Sequence, residues 1–287
     1  MKRFVPFLFA LLLIPVGLAA ITSARKPAYF QTNQLAHLNH PRYRDLVGHW
    51  IMNESGGLTA YDISGNGNNG TLTNGPTWTQ GQFGPALSFD GVDDFISVSE
   101  AVTDSAASNG ALTISAWFRL STTSDGDLVS QWKYSATDRA FDLRWTGTKI
   151  EYHIDSLGTG SSGGSNRISN TTLSTNTLYH VVGVFKASAN LDIYVNGVLD
   201  NGALYVNGIP NGLFNAVNPV NIGRISNGDA DLYFNGLIDD VRVYKRALSA
   251  DEVMSLYTDP FLEFRRDQRL ALRKPSVAKV KHRVTQQ

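Results

Sequence analysis

Apolar and polar positions alternate with a period of two through much of this chain. Leu112, Ile114, Ala116, Phe118 and Leu120 alternate with Thr113, Ser115, Trp117 and Arg119. Phe141, Leu143 and Trp145 alternate with Asp142 and Arg144, and Leu191, Ile193 and Val195 with Asp192 and Tyr194. Successive side chains of a strand point to opposite faces, so this period marks half-buried antiparallel strands. The pattern predicts strands at 46–51, 86–89, 94–98, 111–120, 126–132, 140–145, 148–154, 178–186, 190–196, 219–224, 232–234 and 237–244. Clusters of Gly, Asn, Asp and Ser separate them, a cadence that predicts a two-sheet sandwich or a barrel. Asn196-Gly197, between DIYV and VL, is a hairpin signal because a tight two-residue turn needs positive φ at both positions. Asp90-Gly91 precedes a second run, VDDFISV, in the same way. One helix is predicted, at 249–257. Ser249 caps it with Glu252 as the partner three residues on. Val253, Leu256 and Tyr257 share a face, and Pro260 stops the helix.

Composition agrees with an all-β domain. Of 287 residues 42% are hydrophobic, enough for a core, and only 17% are charged. There is no cysteine, which excludes a disulfide framework, a thiolate zinc site and a cysteine nucleophile. Residues 1–20 read as a signal peptide: Lys2 and Arg3 are basic, Phe4 to Ala20 is apolar and uncharged, and Leu18-Ala19-Ala20 offers small residues for cleavage. An uncleaved anchor is the alternative, against which Pro6 and Pro15 interrupt the run. A secreted or cell-surface protein is therefore expected. Residues 21–44 read as a linker or arm, 45–260 as the folded domain and 261–287 as a basic tail. The net charge of zero hides this division. Residues 1–44 carry six basic and no acidic side chains, 45–260 carry 11 and 23, and 261–287 carry eight and two. The acidic centre suits cations better than phosphate, so no specific nucleic-acid partner is expected. The tail is either solvated or suited to anionic surfaces.

Four segments, in order, resemble laminin-G-like jelly-roll domains of the concanavalin A-like lectin/glucanase superfamily. LVGHWIMNESGG, YDISGNGNNGTLTNGP and GQFGPALSFDGVDDFISV are similar to the opening signature of those domains. LTISAWFRL is similar to their next strand, LYHVVGVFKASANLDIYVNGVL to the segment ending in their hairpin, and NIGRISNGDADLYFNGLIDDVRVYKRALSADEVMSLY to their closing block. The resemblance runs from Leu46 to Tyr257. It departs at Tyr179, where Trp is common before the His, and at Asn196, where Asp is common. It implies two curved antiparallel sheets, often a bound calcium, and roles in binding glycans or proteins.

Glucanases of that superfamily make catalysis a question. Retaining glycosidases need two carboxyl groups about 5–5.5 Å apart, which on one strand face means acids at i, i+2 or i+4. Glu151 and Asp155 share parity in EYHID, but no further acid accompanies them. There is no GxSxG signature. His37, His40 and His282 lie in the flanks, and His49, His153 and His180 are far apart in sequence. GNGNNG lacks the Lys and following helix of a phosphate loop. No catalytic residues are expected.

A hard cation is the better candidate. Asp239, Val241 and Val243 share a parity in GLIDDVRVY. With the valines in the core, Asp239 points inward and needs a partner; calcium, taking six to eight oxygens, would serve. The resemblance implies Glu54 as the matching acid, with Asp62, Asn66 and Asn68 adding oxygens. The alternative pairs Asp239 with an Arg or with backbone N–H groups. Asp240, on the opposite face, is expected to pair with Arg242. Asp229 and Asp231 form a second acid pair, in SNGDADL, where related folds place ligand-linked calcium; a solvated loop is the alternative. Asp90, Asp93 and Asp94 read as turn formers. For a sugar, Trp132, Tyr134, Trp145 and Tyr152 lie on or near consecutive strands, with Arg139 and Arg144 as donors. Parity assigns Trp145 to the core, as expected also for Trp50 and Trp117, leaving Trp132 and Tyr134 as surface candidates. The favoured reading is a non-catalytic binding module for glycans or cell-surface ligands. A structural or adhesion protein of an envelope or virion-associated assembly comes next, and a glycan-active enzyme last.

Overall fold

Two large antiparallel sheets pack face to face, as the alternation predicts. The computed structural model describes residues 24–26, 40–133, 137–159, 164–205, 208–225 and 232–264. The eight-stranded sheet holds β1 (Leu46–Trp50), β4 (Thr77–Gln80), β5 (Pro85–Asp90), β7 (Ala111–Leu120), β12 (Leu178–Lys186), β13 (Asn190–Val195), β14 (Val198–Leu199) and β19 (Asn235–Tyr244). Its order is β14-β13-β12-β7-β19-β5-β4, with β1 also paired to β19. The nine-stranded sheet holds β2 (Thr59–Ala60), β3 (Gly70–Thr73), β6 (Phe95–Val98), β8 (Gly126–Lys133), β9 (Asp138–Thr146), β10 (Lys149–Asp155), β11 (Gly164–Ser169), β15 (Asn201–Tyr205) and β16 (Val220–Ile222), in the order β15-β11-β10-β9-β8-β16-β6-β3-β2. A short ribbon pairs β17 (Arg224–Ile225) with β18 (Leu232–Tyr233). The expected signal peptide, 1–20, and nearly all of the expected basic tail lie outside the described residues.

The core sits where the parity places it. Ile114, Ala116 and Phe118 meet Phe141, Leu143 and Trp145 between the sheets, in one apolar cluster with Trp50 and Tyr152. Trp117, on the other parity of β7, is also buried, but on the outer face of the eight-stranded sheet among Phe83, Phe261, Phe264 and Ala24. Asn196 and Gly197 both take positive φ, 51° and 80°, in the predicted hairpin between β13 and β14.

Two α-helices lie wholly within the described residues where one is predicted. The expected one, α2 (Ala250–Thr258), carries the full capping box: Ser249 Oγ accepts from Glu252 N, and the Glu252 carboxylate accepts from Ser249 N. Val253 and Leu256 bury its apolar face against Val182 and Val184 of β12. Ser249→Ala should lower stability by about 1 kcal/mol, read as a fall of a few degrees in Tm, because it orphans the Glu252 N–H. An unchanged Tm would show that the box contributes nothing. The unexpected helix, α1 (Ala101–Asn109), ends at Gly110, whose φ of 59° lets its N–H close back on Ala106 and Ala107. Val102 and Ala106 are buried in the core and Ala107 packs against it. Two apolar residues among small and polar ones leave little periodicity to read.

Residues on both sides of the expected 45–260 domain pack on the outer face of the eight-stranded sheet. Ala24, Phe261 and Phe264 join the Trp117 cluster. Arg42 pairs with Glu263 at 2.8 Å, and Arg242 reaches the same carboxylate at 2.9 Å.

Candidate functional site

Strands β8, β9 and β10 place ionisable side chains side by side on the outer face of the nine-stranded sheet. Phe141, Leu143 and Trp145 of β9 fill the core, so Asp142 and Arg144 face away from it. Register sets Asp127 of β8 and Glu151 of β10 on either side of Arg144, and Ser130 and His153 on either side of Asp142. A bulge in β8 between Asp127 and Val129 lets Leu128 and Val129 both enter the core and keeps Asp127 on the outer face. The β17–β18 ribbon lies against β8: Gly223 N donates to Leu128 O, and Ser130 Oγ donates to Arg224 O. Gly126 permits this approach, since a Cβ there would stand 2.8 Å from Phe234 Cα and 2.9 Å from Tyr233 O.

Two of these groups are deeply buried and three reach solvent. Asp127 and Asp142 are 0% exposed, and none of their four carboxyl oxygens accepts a hydrogen bond among the described residues. Arg144 Nη1 lies 3.6 Å from Asp142. Burial first, and then the neighbouring Asp142, push the Asp127 carboxyl well above the usual carboxylate range. Burial therefore favours the protonated form of Asp127. Arg144, Glu151 and His153 keep 17%, 10% and 15% of their side chains exposed. Glu151 accepts from Arg144 at 2.7 Å and lies 2.9 Å from His153 Nε2. Burial works to raise the Glu151 carboxyl, but His153 and Arg144 outweigh it and hold it below the usual range.

The sugar-platform residues are only partly as expected. Trp132 meets the edge of His153 at 5.7 Å, with Arg139 5.6 Å from its ring centroid, so both join the β8–β10 cluster. The Trp132 indole, however, is 4% exposed and offers no open face. Tyr152 and Trp145 are core residues. Tyr134, Asp229 and Asp231 lie outside the described residues. Glu151 has partners that sequence spacing did not reveal. Asp155 caps the following turn, accepting from Leu157 N and Gly158 N. The signal for the cluster was present as acids on the outward parity of consecutive strands, but which strands pair is not written in any one segment.

On the opposite side of the sandwich the residues expected to hold calcium take other partners. Asp62 is a hub for its own loop, accepting from His49 N, Ser64 N, Ser64 Oγ and Asn68 N. The Asn66 and Asn68 amides donate to the carbonyls of Leu46 and Val47. Asp239 does not share the inward parity of Val241 and Val243. A bulge falls between Asp239 and Arg242, with Asp240 at a φ of 44°. Ile238 therefore pairs with Phe118 of the core, and Asp239 stands opposite Trp117 on the outer face. There Asp239 is paired with Lys26, and Glu54 accepts from Tyr61 N. Asp240 pairs with Arg242 as expected, at 3.1 Å. Asp90, Asp93 and Asp94 do bring ligand atoms within 4.8 Å of one another, the one such acidic or histidine group among the described residues. Asp90 Oδ1 is taken up by Val92 N and Asp94 Oδ2 by Asp90 N, the bonds of a turn. Ser115 Oγ and His180 Nε2 are 2.8 Å apart. His180 Nδ1 has no partner among the described residues, so none of them acts as the orienting acid of a nucleophilic triad here.

A sequence profile described as concanavalin A-like lectin/glucanases superfamily matches residues 90–254, more than half of the chain. The chain belongs to that superfamily. No curated protein is similar enough in sequence to count as a relative. Among solved structures, domain 4 of AbnA, a GH43 extracellular arabinanase from Geobacillus stearothermophilus in complex with arabinotriose, matches with a TM-score of 0.51 at 20% identity, over 74% of this chain and 98% of that one. The receptor binding domain of botulinum neurotoxin C/D mosaic serotype matches with a TM-score of 0.56 at 15% identity, over 75% of this chain and 51% of that one. Trypanosoma rangeli sialidase in complex with sialic acid matches with a TM-score of 0.56 at 14% identity, over 86% of this chain and 37% of that one. The chain thus spans about half of the neurotoxin domain and little more than a third of the sialidase. At these identities the likeness is one of fold.

Proposed function

We propose that this chain is an exported, non-catalytic binding module that takes a glycan on the outer face of the nine-stranded sheet. The observation that carries the reading is the Arg144–Glu151–His153 cluster, part-exposed and braced from beneath by Asp142. A sugar presents neighbouring hydroxyls that both donate and accept. An ionised carboxylate beside a guanidinium and an imidazole answers both needs with charge-assisted hydrogen bonds. Trp132 and Arg139 wall one end of the cluster. The likeness to an arabinanase domain in complex with arabinotriose supports a glycan as the ligand class.

A glycan array followed by calorimetric titration tests this. Glu151→Gln keeps the shape and removes the charge, and should weaken binding about tenfold or more, the worth of one charged hydrogen bond, with the folded state retained by circular dichroism. Binding undiminished in that variant would sink the reading. A protein ligand is the second reading, favoured by exposed Val198 and Leu199 on edge strand β14, near Met254 of α2. Binding lost only when Val198 and Leu199 are made polar would replace the first reading by this one. Oligo- and polysaccharides should be left intact; turnover abolished by Asp127→Asn would make the acid pair catalytic instead.

A further inference from the structure

Lys26 brings a nitrogen nucleophile to the carboxyl of Asp239 in a place nearly shut off from water. The two side chains are 2% and 5% exposed. Lys26 Nζ donates to Met52 O at 2.9 Å, to Pro85 O and to Asp239 Oδ1. Asp239 Oδ1 also accepts from Asp240 N at 2.8 Å. A buried ammonium and carboxylate can shed both charges by passing one proton between them. The amine then keeps two N–H groups, which the Met52 and Pro85 carbonyls accept, and its lone pair faces the Asp239 carboxyl. The Asp240 N–H is placed to steady negative charge on Oδ1 during an attack at Cγ. Glu54 is close enough for the charge of Lys26 to act on its carboxyl. Its Oε2 is buried and accepts no hydrogen bond among the described residues. The segment that carries Lys26 is fixed as well. Lys26 N donates to Phe83 O at 3.0 Å, and Ala24 is fully buried in the Trp117 cluster. A nucleophile and a carbonyl group held together in this way react as though at very high concentration.

We propose that Lys26 and Asp239 condense spontaneously into an amide crosslink within the chain, with Glu54 carrying the proton. Lys26 Nζ forms a bond to Asp239 Cγ, and the Cγ–Oδ2 bond breaks. Glu54 takes a proton from the nitrogen and returns one to the departing oxygen, which leaves as water. One ammonium and one carboxylate thus become one amide and one water, and no oxidant, metal or activating group is consumed. The bond ties Lys26 across 213 positions to β19. That strand is hydrogen-bonded to β1, β5 and β7 within the eight-stranded sheet. A pull on the N-terminal flank is then borne by a central strand, where without the bond it falls on the few hydrogen bonds of the Ala24–Lys26 segment.

Mass spectrometry of the full chain, kept folded for days and then denatured and digested, tests this without any variant. The peptide holding residue 26 should be found joined to the peptide holding residue 239, at their summed mass less one water. In the unfolded chain Lys26 should resist acylation while the other lysines react. Lys26→Met should give only separate peptides. Glu54→Gln should keep the fold by circular dichroism and still leave most chains unjoined at an age when wild type is joined, since losing a proton relay slows a reaction about a hundredfold. A merely structural Glu54 would not separate folding from joining in this way. Separate peptides of full mass in wild type, with Lys26 acylated on unfolding, overturn the proposal and leave an ion pair only. Joining in Glu54→Gln as complete as in wild type overturns the part assigned to Glu54.

Discussion

Replacing Arg242 by methionine is expected to cost about 3–5 kcal/mol, the usual loss when one partner of a buried ion pair is removed. Arg242 is 1% exposed in β19. Its guanidinium bonds both oxygens of Asp240 at 3.1 and 3.2 Å, reaches Glu263 at 2.9 Å and donates to Pro260 O. Glu263 in turn holds Arg42, which also donates to Asp259 O and Ser255 O. One side chain therefore joins the last long strand, the turn at Pro41–Tyr43 and the segment after α2. Methionine keeps much of the volume but leaves two carboxylates buried with less positive charge. Burial works to raise the Asp240 carboxyl, but Arg242 and then His49 outweigh it and hold it below the usual range. The sign follows: a depressed folded value gives stability present above the ordinary aspartate value and lost as pH falls through the folded one. Urea unfolding should show the loss at neutral pH and a weaker acid dependence in the variant. Adding Asp240→Asn and Glu263→Gln should recover part of it, because no lone charge then stays buried. An Arg242→Met protein within 1 kcal/mol of wild type would mean the network is slack.

The fold was legible wherever one face of a strand had to be apolar, because burial enforces alternation residue by residue. That is why β7, β9 and β13 and the Asn196-Gly197 turn could be read directly. β11, with GSNRIS, and β15, with NGALY, were not legible; both lie at the rim of the nine-stranded sheet, where alternation is weakly enforced. Parity failed at Asp239 for a definite reason. One extra residue at a bulge reverses every inference beyond it, and nothing in IDDV announces that Asp240 adopts a positive φ. The pairing of Asp240 with Arg242 survived because the two side chains still meet across Val241, at 3.1 and 3.2 Å. The site was the least legible part. Asp127, Asp142, Glu151 and His153 are unremarkable in their own segments, and only the register of three strands makes them neighbours. Lys26 is separated from Asp239 by 213 positions, in a stretch that shows no periodicity.

The Asp127–Asp142 pair should make the protein lose stability as pH rises, the reverse of the Arg242 network. Asp127 has a folded pKa well above its ordinary value of 3.8, through burial and the adjacent Asp142. Over that interval the folded state binds a proton that the unfolded chain releases. The pair's stabilising contribution is therefore full below 3.8 and is lost progressively as pH rises through the folded value. Each pH unit crossed costs at most about 1.4 kcal/mol for one proton. Asp127→Asn supplies a donor to Asp142 at every pH and cannot ionise. The variant should match or fall slightly below wild type in mild acid, then gain on it steadily toward neutral and alkaline pH. Urea midpoints for both proteins, taken from pH 4.5 to 8, isolate this group from the other shifted carboxyls, which the two share. Parallel curves across that range would show that the pair carries no extra proton. The four buried oxygens would then need a bound cation instead, and a calcium-dependent midpoint in wild type that vanishes in Asp127→Asn would identify it.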